Sequence, residues 1–303
     1  MDLPKSRAVV PRLEYLASTG STNDDLRAAA TGADAAAWPH GSVIVTDDQT
    51  RGRGRMGRTW LAPTGKTLAI SVLLRPELAG GRPFPPEAYG WLPLIAGAAM
   101  TEAVRHAVDA AGASRADDDD DDDGTGVLDV VLKWPNDVLV SGYKICGILS
   151  ELLPAGESSV AEASIAEPAV AEPVEATPAV IVGAGLNLTL DEHDLPTLTS
   201  TSLLLATGVQ PDADQVLADY LSAFLSFVRA FAEQGADAAA SGIAGRVNDL
   251  CGTLGAEVRI ELPGDRQLLG VAERIDSDGR LLVRDANDEV QAVAAGDVTH
   301  LRY

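Results

Sequence analysis

Residues Gln49 to Trp60 read Gln-Thr-Arg-Gly-Arg-Gly-Arg-Met-Gly-Arg-Thr-Trp, four arginines interleaved with three glycines. No core strand or stable helix can be made of this. Glycine disfavours both states through its conformational entropy, and unpaired guanidinium groups are too strongly hydrated to enter a core. The stretch must be a loop, and strands must bring the chain to it and away. Ser42–Asp47 and Thr67–Leu74 are apolar runs of strand length on its two sides. A loop with fixed ends and a mobile middle is a common carrier of function. Its guanidinium forks and open backbone N–H groups suit a carboxylate or a phosphate. On composition alone it is equally a solvated loop or an RNA-binding Arg-Gly tract.

The rest of the chain is acidic, with a formal net charge of −22, but two segments account for much of it. Asp117–Asp123 is an unbroken run of seven aspartates, and Glu157, Glu162, Glu167, Glu172 and Glu175 fall in a stretch without Lys or Arg. Without those twelve carboxylates the balance is −10. Adjacent like charges repel and stay solvated, so residues 112–126 are expected to be a disordered surface insert. The run lacks the alternation and glycine turn of a calcium loop. Residues 154–178, rich in Ala, Glu and Pro, are expected to be a second solvated excursion, from a hairpin.

With 303 residues, 46% of them hydrophobic, the chain can bury one large core and a small one. No apolar run reaches transmembrane length, Met1–Pro11 lacks the stretch of a signal peptide, and Cys146 and Cys251 make no framework or metal pattern. A reducing cytoplasm is the expected compartment. The acidic balance, and the dozen or so residues before the first strand, too few for a helix-turn-helix, argue against nucleic acid.

Along the chain, Leu13–Ala17 reads as a strand. Ser21-Thr22-Asn23 then opens a helix over about Asp24–Ala30, with Ser21 and Asp24 in a capping pattern. Helical spacing marks 88–110, 212–232 and 237–250. A strand over 127–132 ends at Lys133-Trp134-Pro135-Asn136-Asp137, and Pro135 keeps that motif at a strand end or turn. Lys144–Leu153 and Val180–Val182 are further strands. Gly183 and Gly185 then allow close approach of a ligand to the backbone, followed by Asn187. From Cys251 onward short strands alternate with turn signals such as Ser277-Asp278-Gly279, a pattern that predicts a small five-stranded barrel.

Five motifs in this order, Ser21-Thr22-Asn23, the Arg-Gly loop, Lys133–Asp137, Lys144–Glu151 and Gly183–Asn187, resemble the signatures of bacterial biotin protein ligases without an N-terminal DNA-binding domain. The resemblance implies an α+β fold: a mixed-sheet biotin/lipoate ligase-like catalytic domain over 1–250, with inserts 112–126 and 154–178, and an SH3-like domain over 251–303. It implies ATP-dependent formation of biotinyl-5'-AMP and transfer of biotin to a lysine of a biotin carboxyl carrier protein domain of acyl-CoA or pyruvate carboxylases, with Mg²⁺ assisting and no certain metal ligands. A monomer or weak homodimer is expected, with no nucleic-acid or membrane partner. Carried over by motif, Ser21, Thr22, Asn23, Gln49, Gly52, Arg53, Gly54, Arg55, Lys144 and Gly147 hold biotin. Arg55, Arg58, Trp60, Asn136 and Asn187 hold ATP or the adenylate, and Lys144 with Arg53 is catalytic. Asp137 is expected to stand behind them. Met56 departs from the family, where many relatives have arginine. Lipoate–protein ligases share the implied fold and adenylation chemistry but lack the Arg-Gly loop and Lys-Trp-Pro-Asn-Asp.

Overall fold

The uninterrupted apolar runs become the middle of a seven-stranded sheet, because a strand covered on both faces has no place for a polar alternation. In a computed structural model, which describes residues 1–60, 63–116, 128–153, 178–262 and 266–301, Thr67–Leu74 and Ala179–Asn187 are buried at every position. The strands are β1 (Leu13–Leu16), β2 (Val43–Thr46), β3 (Gly52–Arg53), β4 (Thr59–Trp60), β5 (Thr67–Leu74), the short ribbon β6 (Glu77–Leu78) and β7 (Arg82–Pro83), β8 (Val130–Lys133), β9 (Asp137–Val140), β10 (Tyr143–Leu153) and β11 (Ala179–Asn187). The large sheet has the order β1-β2-β5-β11-β10-β9-β8. Only β1 and β2 run parallel within it, so the sheet is mixed.

The helices are α1 (Pro4–Val9), α2 (Thr22–Thr31), α3 (Leu92–Ala116), α4 (Leu203–Thr207), α5 (Ala213–Glu233) and α6 (Ile243–Leu250). One sheet face, carrying Val43, Val45, Leu68, Ile70, Val72, Val180 and Val182, shares a core with residues of α3, α5 and α6. On the other, Leu26 and Ala30 of α2 cover Ile44, Leu73 and Ile181. Side chains alternate along a strand, so Ala69, Ser71, Gly183, Gly185 and Asn187 share that second face. They are small or polar, and there the cavity lies.

Several expectations need adjustment. Residues 112–116 are the end of α3, not part of an insert. The surrounding alanines favour helix, and a single Gly112 costs only ~1 kcal/mol. The aspartate run and residues 154–177 lie outside the described residues. The helix expected from Asp237 starts at Ile243, because Asp237 Oδ1 accepts from Ala239 N and Ala240 N in a turn that ends at Gly242, with φ 75°. The sequence before Leu13 carries no periodicity that predicts an element. α1 is nevertheless fixed to α5, with Ser6 N and Oγ donating to Asp214 Oδ1 at 2.9 and 2.6 Å.

The C-terminal strands β12 (Glu257–Leu262), β13 (Arg266–Ile275), β14 (Leu281–Asp285), β15 (Val290–Val293) and β16 (Asp297–His300) form an antiparallel sheet in the order β15-β14-β13-β12-β16, as expected of an SH3-like unit. Tryptophans dock it on the large sheet. Trp91 Nε1 donates to Ser277 O at 2.6 Å, and Trp134 donates through its backbone N to Thr253 Oγ1 (3.0 Å) and through Nε1 to Gly279 O (3.1 Å). Among the described residues no helix is long and apolar enough to cross a membrane.

Candidate active site

A cavity of about 770 Å³ opens on the sheet face that α2 leaves uncovered. Backbone makes its floor. A Cβ at Gly183 would lie 2.5 Å from Asn23 Oδ1, and one at Gly185 would lie 2.6 Å from ring carbons of Trp60. These glycines let a polar side chain and an indole rest directly on β11. Next to them, Gly147 pairs with Gly185 and Asp137 pairs with Gly147, so β10 and β9 extend the same floor.

Lys144 should face away from Gly147 in a regular strand, three residues being an odd step. A bulge between Lys144 and Cys146 removes that conflict. Lys144 Nζ comes within 3.0 Å of where a Gly147 Cβ would stand and pairs with Asp137 Oδ1 at 2.6 Å. Its backbone is gripped by the 199–201 segment, with Lys144 N donating to Thr199 O at 2.7 Å and Thr201 N donating to Lys144 O at 2.8 Å. The neighbouring Cys146 is no nucleophile: burial pushes its thiol up to about 12.

At one end, Thr22 N and Oγ1 donate to Gln49 Oε1 at 3.0 and 3.2 Å. The start of α2 is therefore capped by Gln49, and Ser21, although at the N-cap, makes no side-chain capping bond. Ser71 Oγ lies 2.5 Å from Asn23 Oδ1, fixing that amide over Gly183.

The loop is the roof. Gly52 itself does not line the cavity. It pairs with Trp60, and a Cβ there would meet Gln49 Nε2 and Trp60 O at 2.5 Å. Arg53 donates twice to Asp24, at 2.9 and 2.7 Å, and once to Glu151 at 3.3 Å. This hydrogen bonding holds the Asp24 carboxyl below its usual range. Arg55 donates to Asn136 Oδ1 at 2.8 Å, and burial lowers its pKa against the pull of Asp137 and Asp297. Arg58 pairs with Asp297 of β16. Trp60 Nε1 is buried without a hydrogen-bond partner among the described residues. Asn136 Nδ2 donates to Ile148 O and Asn187 Nδ2 to Thr201 O, each at 2.8 Å.

Gly52 apart, every residue that the motifs nominate lines this cavity. The lining also includes residues outside that set, and three parts of it bear on the site. Lys133 faces in, with its amine pushed below the ordinary lysine range by burial. The segments 196–200 and 296–300 form walls. Lys133 sits within a recognised motif and could have been proposed; an ordinary strand such as 297–300 carries no signal of that kind.

A model of the biotin/lipoate A/B protein ligase family matches residues 15–165, and one of the biotin protein ligase C-terminal domain matches 253–301. The biotin–[acetyl-CoA-carboxylase] ligase of Mycobacterium tuberculosis is 34% identical over 296 residues, spanning 96% of this chain and 90% of that protein. The chain belongs to the biotin protein ligase family. The bifunctional ligase/repressor BirA of Bacillus subtilis is 30% identical over 189 residues, 61% of this ligase and 45% of BirA. Among solved structures, the Leishmania major biotin protein ligase in complex with biotin is 25% identical with a TM-score of 0.52, over 94% of this chain and 99% of that one. The Aquifex aeolicus enzyme in complex with biotin and ATP has a TM-score of 0.65 at 23% identity, over 97% and 100%, a likeness of fold.

Proposed function

We infer that this ligase joins biotin to ATP as biotinyl-5'-AMP and then transfers biotin to a lysine of a biotin carboxyl carrier protein domain, in an acyl-CoA or pyruvate carboxylase. The observation that carries the reading is the meeting of Lys144, the loop arginines, Ser21–Asn23 and the Lys133–Asp137 turn around one cavity. The match of 253–301 to the biotin-specific C-terminal model favours biotin over lipoate. The name of the mycobacterial relative supports a carboxylase as partner. The proposed division is a catalytic domain over 1–250 and an SH3-like domain over 251–303, acting in the cytoplasm as a monomer or weak homodimer, without nucleic acid.

In the first step the biotin carboxylate attacks the α-phosphorus and pyrophosphate leaves. One anion approaches another, so fixed positive charge must offset their repulsion. Lys144, on the floor between the two ends, is the group assigned to the carboxylate and α-phosphate. Arg55 and Arg58 are assigned to phosphates, and Trp60, Asn136 and Asn187 to adenine and ribose. The unpartnered Trp60 Nε1 is a donor for a ligand to satisfy. Ser21, Thr22, Asn23, Gln49, Gly54 and Gly147 are assigned to biotin, with Gly52 shaping the loop around it. In the second step the carrier's amine attacks the acyl carbon and AMP leaves, and the roof keeps water from the anhydride until then. Among the described residues no group of three or more His, Cys, Asp or Glu could hold an ion. The Mg²⁺ that adenylation calls for is assigned to the phosphates of ATP, the usual partners of this ion.

Calorimetric titration with biotin, lipoate and an RNA oligomer, followed by pyrophosphate release on adding ATP, tests the reading. Biotin alone should bind and trigger release; lipoate as the preferred ligand, or RNA binding without release, would overturn it.

A further inference from the structure

Arg53 differs from the other loop arginines in what holds it. Asp24, Arg27, Glu151 and Arg53 form a closed ring of alternating charge. Arg53 pairs with Asp24 and Glu151, and Arg27 pairs with the same two carboxylates. The ring joins α2, β10 and the roof. Its charges sum to zero. Glu151 also accepts from Asn23 Nδ2 at 3.3 Å, so the ring reaches the amide that lies over Gly183. Beyond Lys144, which stands between the ends, Lys133, Arg55 and Arg58 face Asp137 and Asp297; with Lys144 counted, that part of the cavity has an excess of two positive charges. The Lys144 amine lies over Gly147, four residues from Glu151 on β10, roughly 13 Å of strand.

We propose that Asp24, Arg27 and Glu151 are positioning residues that hold Arg53 and Asn23 at an electrically neutral end of the cavity, and so determine that biotin enters there and polyphosphate at the other end. The proposal rests on the ligase reading. With its charge matched and its fork occupied, Arg53 is no attractor for phosphates, and the catalytic part expected of it beside Lys144 gives way to one in seating biotin. Its backbone stays fixed, and the part of the roof that must respond to the nucleotide is Arg55 to Arg58. Arg55 is held by one neutral acceptor and Arg58 by one exposed ion pair. These are single contacts, whereas Arg53, itself part-exposed, is held by a fork on Asp24 and a further bond to Glu151.

The test uses the full chain and three variants, Asp24→Ala, Asp24→Glu and the double variant Asp24→Asn/Glu151→Gln. Biotin and AMP affinities are measured separately by calorimetry, and inorganic pyrophosphate is tried as a competitor of biotin. Asp24→Ala removes the fork that fixes Arg53 and should weaken biotin about tenfold, while AMP changes less than about twofold. Asp24→Glu should recover most of that loss. In the double variant both Arg53 and Arg27 are uncompensated, and pyrophosphate should displace biotin, which it should not do in the wild type. Unchanged biotin affinity, equal weakening of both ligands, or no pyrophosphate competition in the double variant would each overturn the proposal. A wild-type chain that binds no biotin would overturn the ligase reading instead.

Discussion

The floor of the cavity hangs on an unbroken ladder, Cys146 to Leu153 against Leu186 to Ala179, while its roof has two ladder pairs, Gly52 with Trp60 and Arg53 with Thr59. Backbone also ties the foot of the roof, Thr50 N donating to Thr19 O and Arg51 N to Gly20 O at 2.8 Å each, and Gly54 N donates to Arg58 O within it; across the cavity the arginines of the roof are held by side chains, Asp24, Glu151, Asn136 and Asp297. A group on the floor is positioned by the fold whatever the ligand does. A group on the roof is positioned by contacts that an incoming anion can replace. On this view the floor carries the step that breaks the α-phosphate bond, and the roof carries retention of its product.

The largest expected effect comes from the floor. Lys144→Ala should leave the melting temperature within a few degrees of wild type, since the amine is paired with Asp137 and not part of the core. Biotin-dependent pyrophosphate release should fall about 100- to 1000-fold, the usual cost of one transition-state donor. Release near the wild-type rate would remove Lys144 from the chemistry. Gly185→Ala comes next. Its methyl would lie 2.6 Å from the Trp60 ring, and overpacking of this kind costs ~1–3 kcal/mol. The ring should lift from the floor and nucleotide binding should weaken about tenfold; unaltered binding would mean that Trp60 does not rest there when the nucleotide is bound.

Two smaller effects sharpen the contrast. Hydrogen bonding from Arg53 depresses the Asp24 pKa in the folded state. The stability it contributes is therefore present above the ordinary carboxylate range and is lost as pH falls through the lower folded value. The difference in melting temperature between wild type and Asp24→Asn should be constant near neutrality, begin to shrink below about pH 4, and vanish once the pH is below the folded value. A difference that persists there would assign the effect to packing. Finally, Leu153 and Ala179 are direct partners in the ladder, so a short turn can join β10 to β11. Replacing residues 156–177 by a brief Gly-Ser link should alter neither melting temperature nor activity, because closure entropy depends weakly on length. A cooperative loss of either would give that segment a role.

Much of the floor is legible in the sequence. Thr67–Leu74 is too apolar to be anything but a covered strand, and the glycines at 183 and 185 announce a close approach. Pairing is what a single strand does not reveal. Nothing in Lys144–Leu153 predicts the bulge that turns Lys144 and Gly147 to the same side, because register is settled by β9 and β11 together. The roof was legible as a loop but not in its partners. Asp24 reads as the acid of a helix start, and only the fold brings it to Arg53. Similarly, Asp297 lies in a strand of ordinary composition, 239 residues beyond Arg58, and no local pattern connects them.

The division between floor and roof is tested most directly by Arg55→Gly. The variant is incubated with biotin, ATP and serum albumin; adenylate formation is followed by pyrophosphate release and leakage by blotting albumin for biotin. Because Arg55 tethers the roof and leaves the floor intact, adenylate formation should only slow. Retention of the intermediate should drop about ten- to a hundredfold, the worth of one charge-assisted bond, and albumin should be labelled heavily. A variant that forms adenylate yet labels albumin no more than wild type would contradict the assignment of retention to the roof.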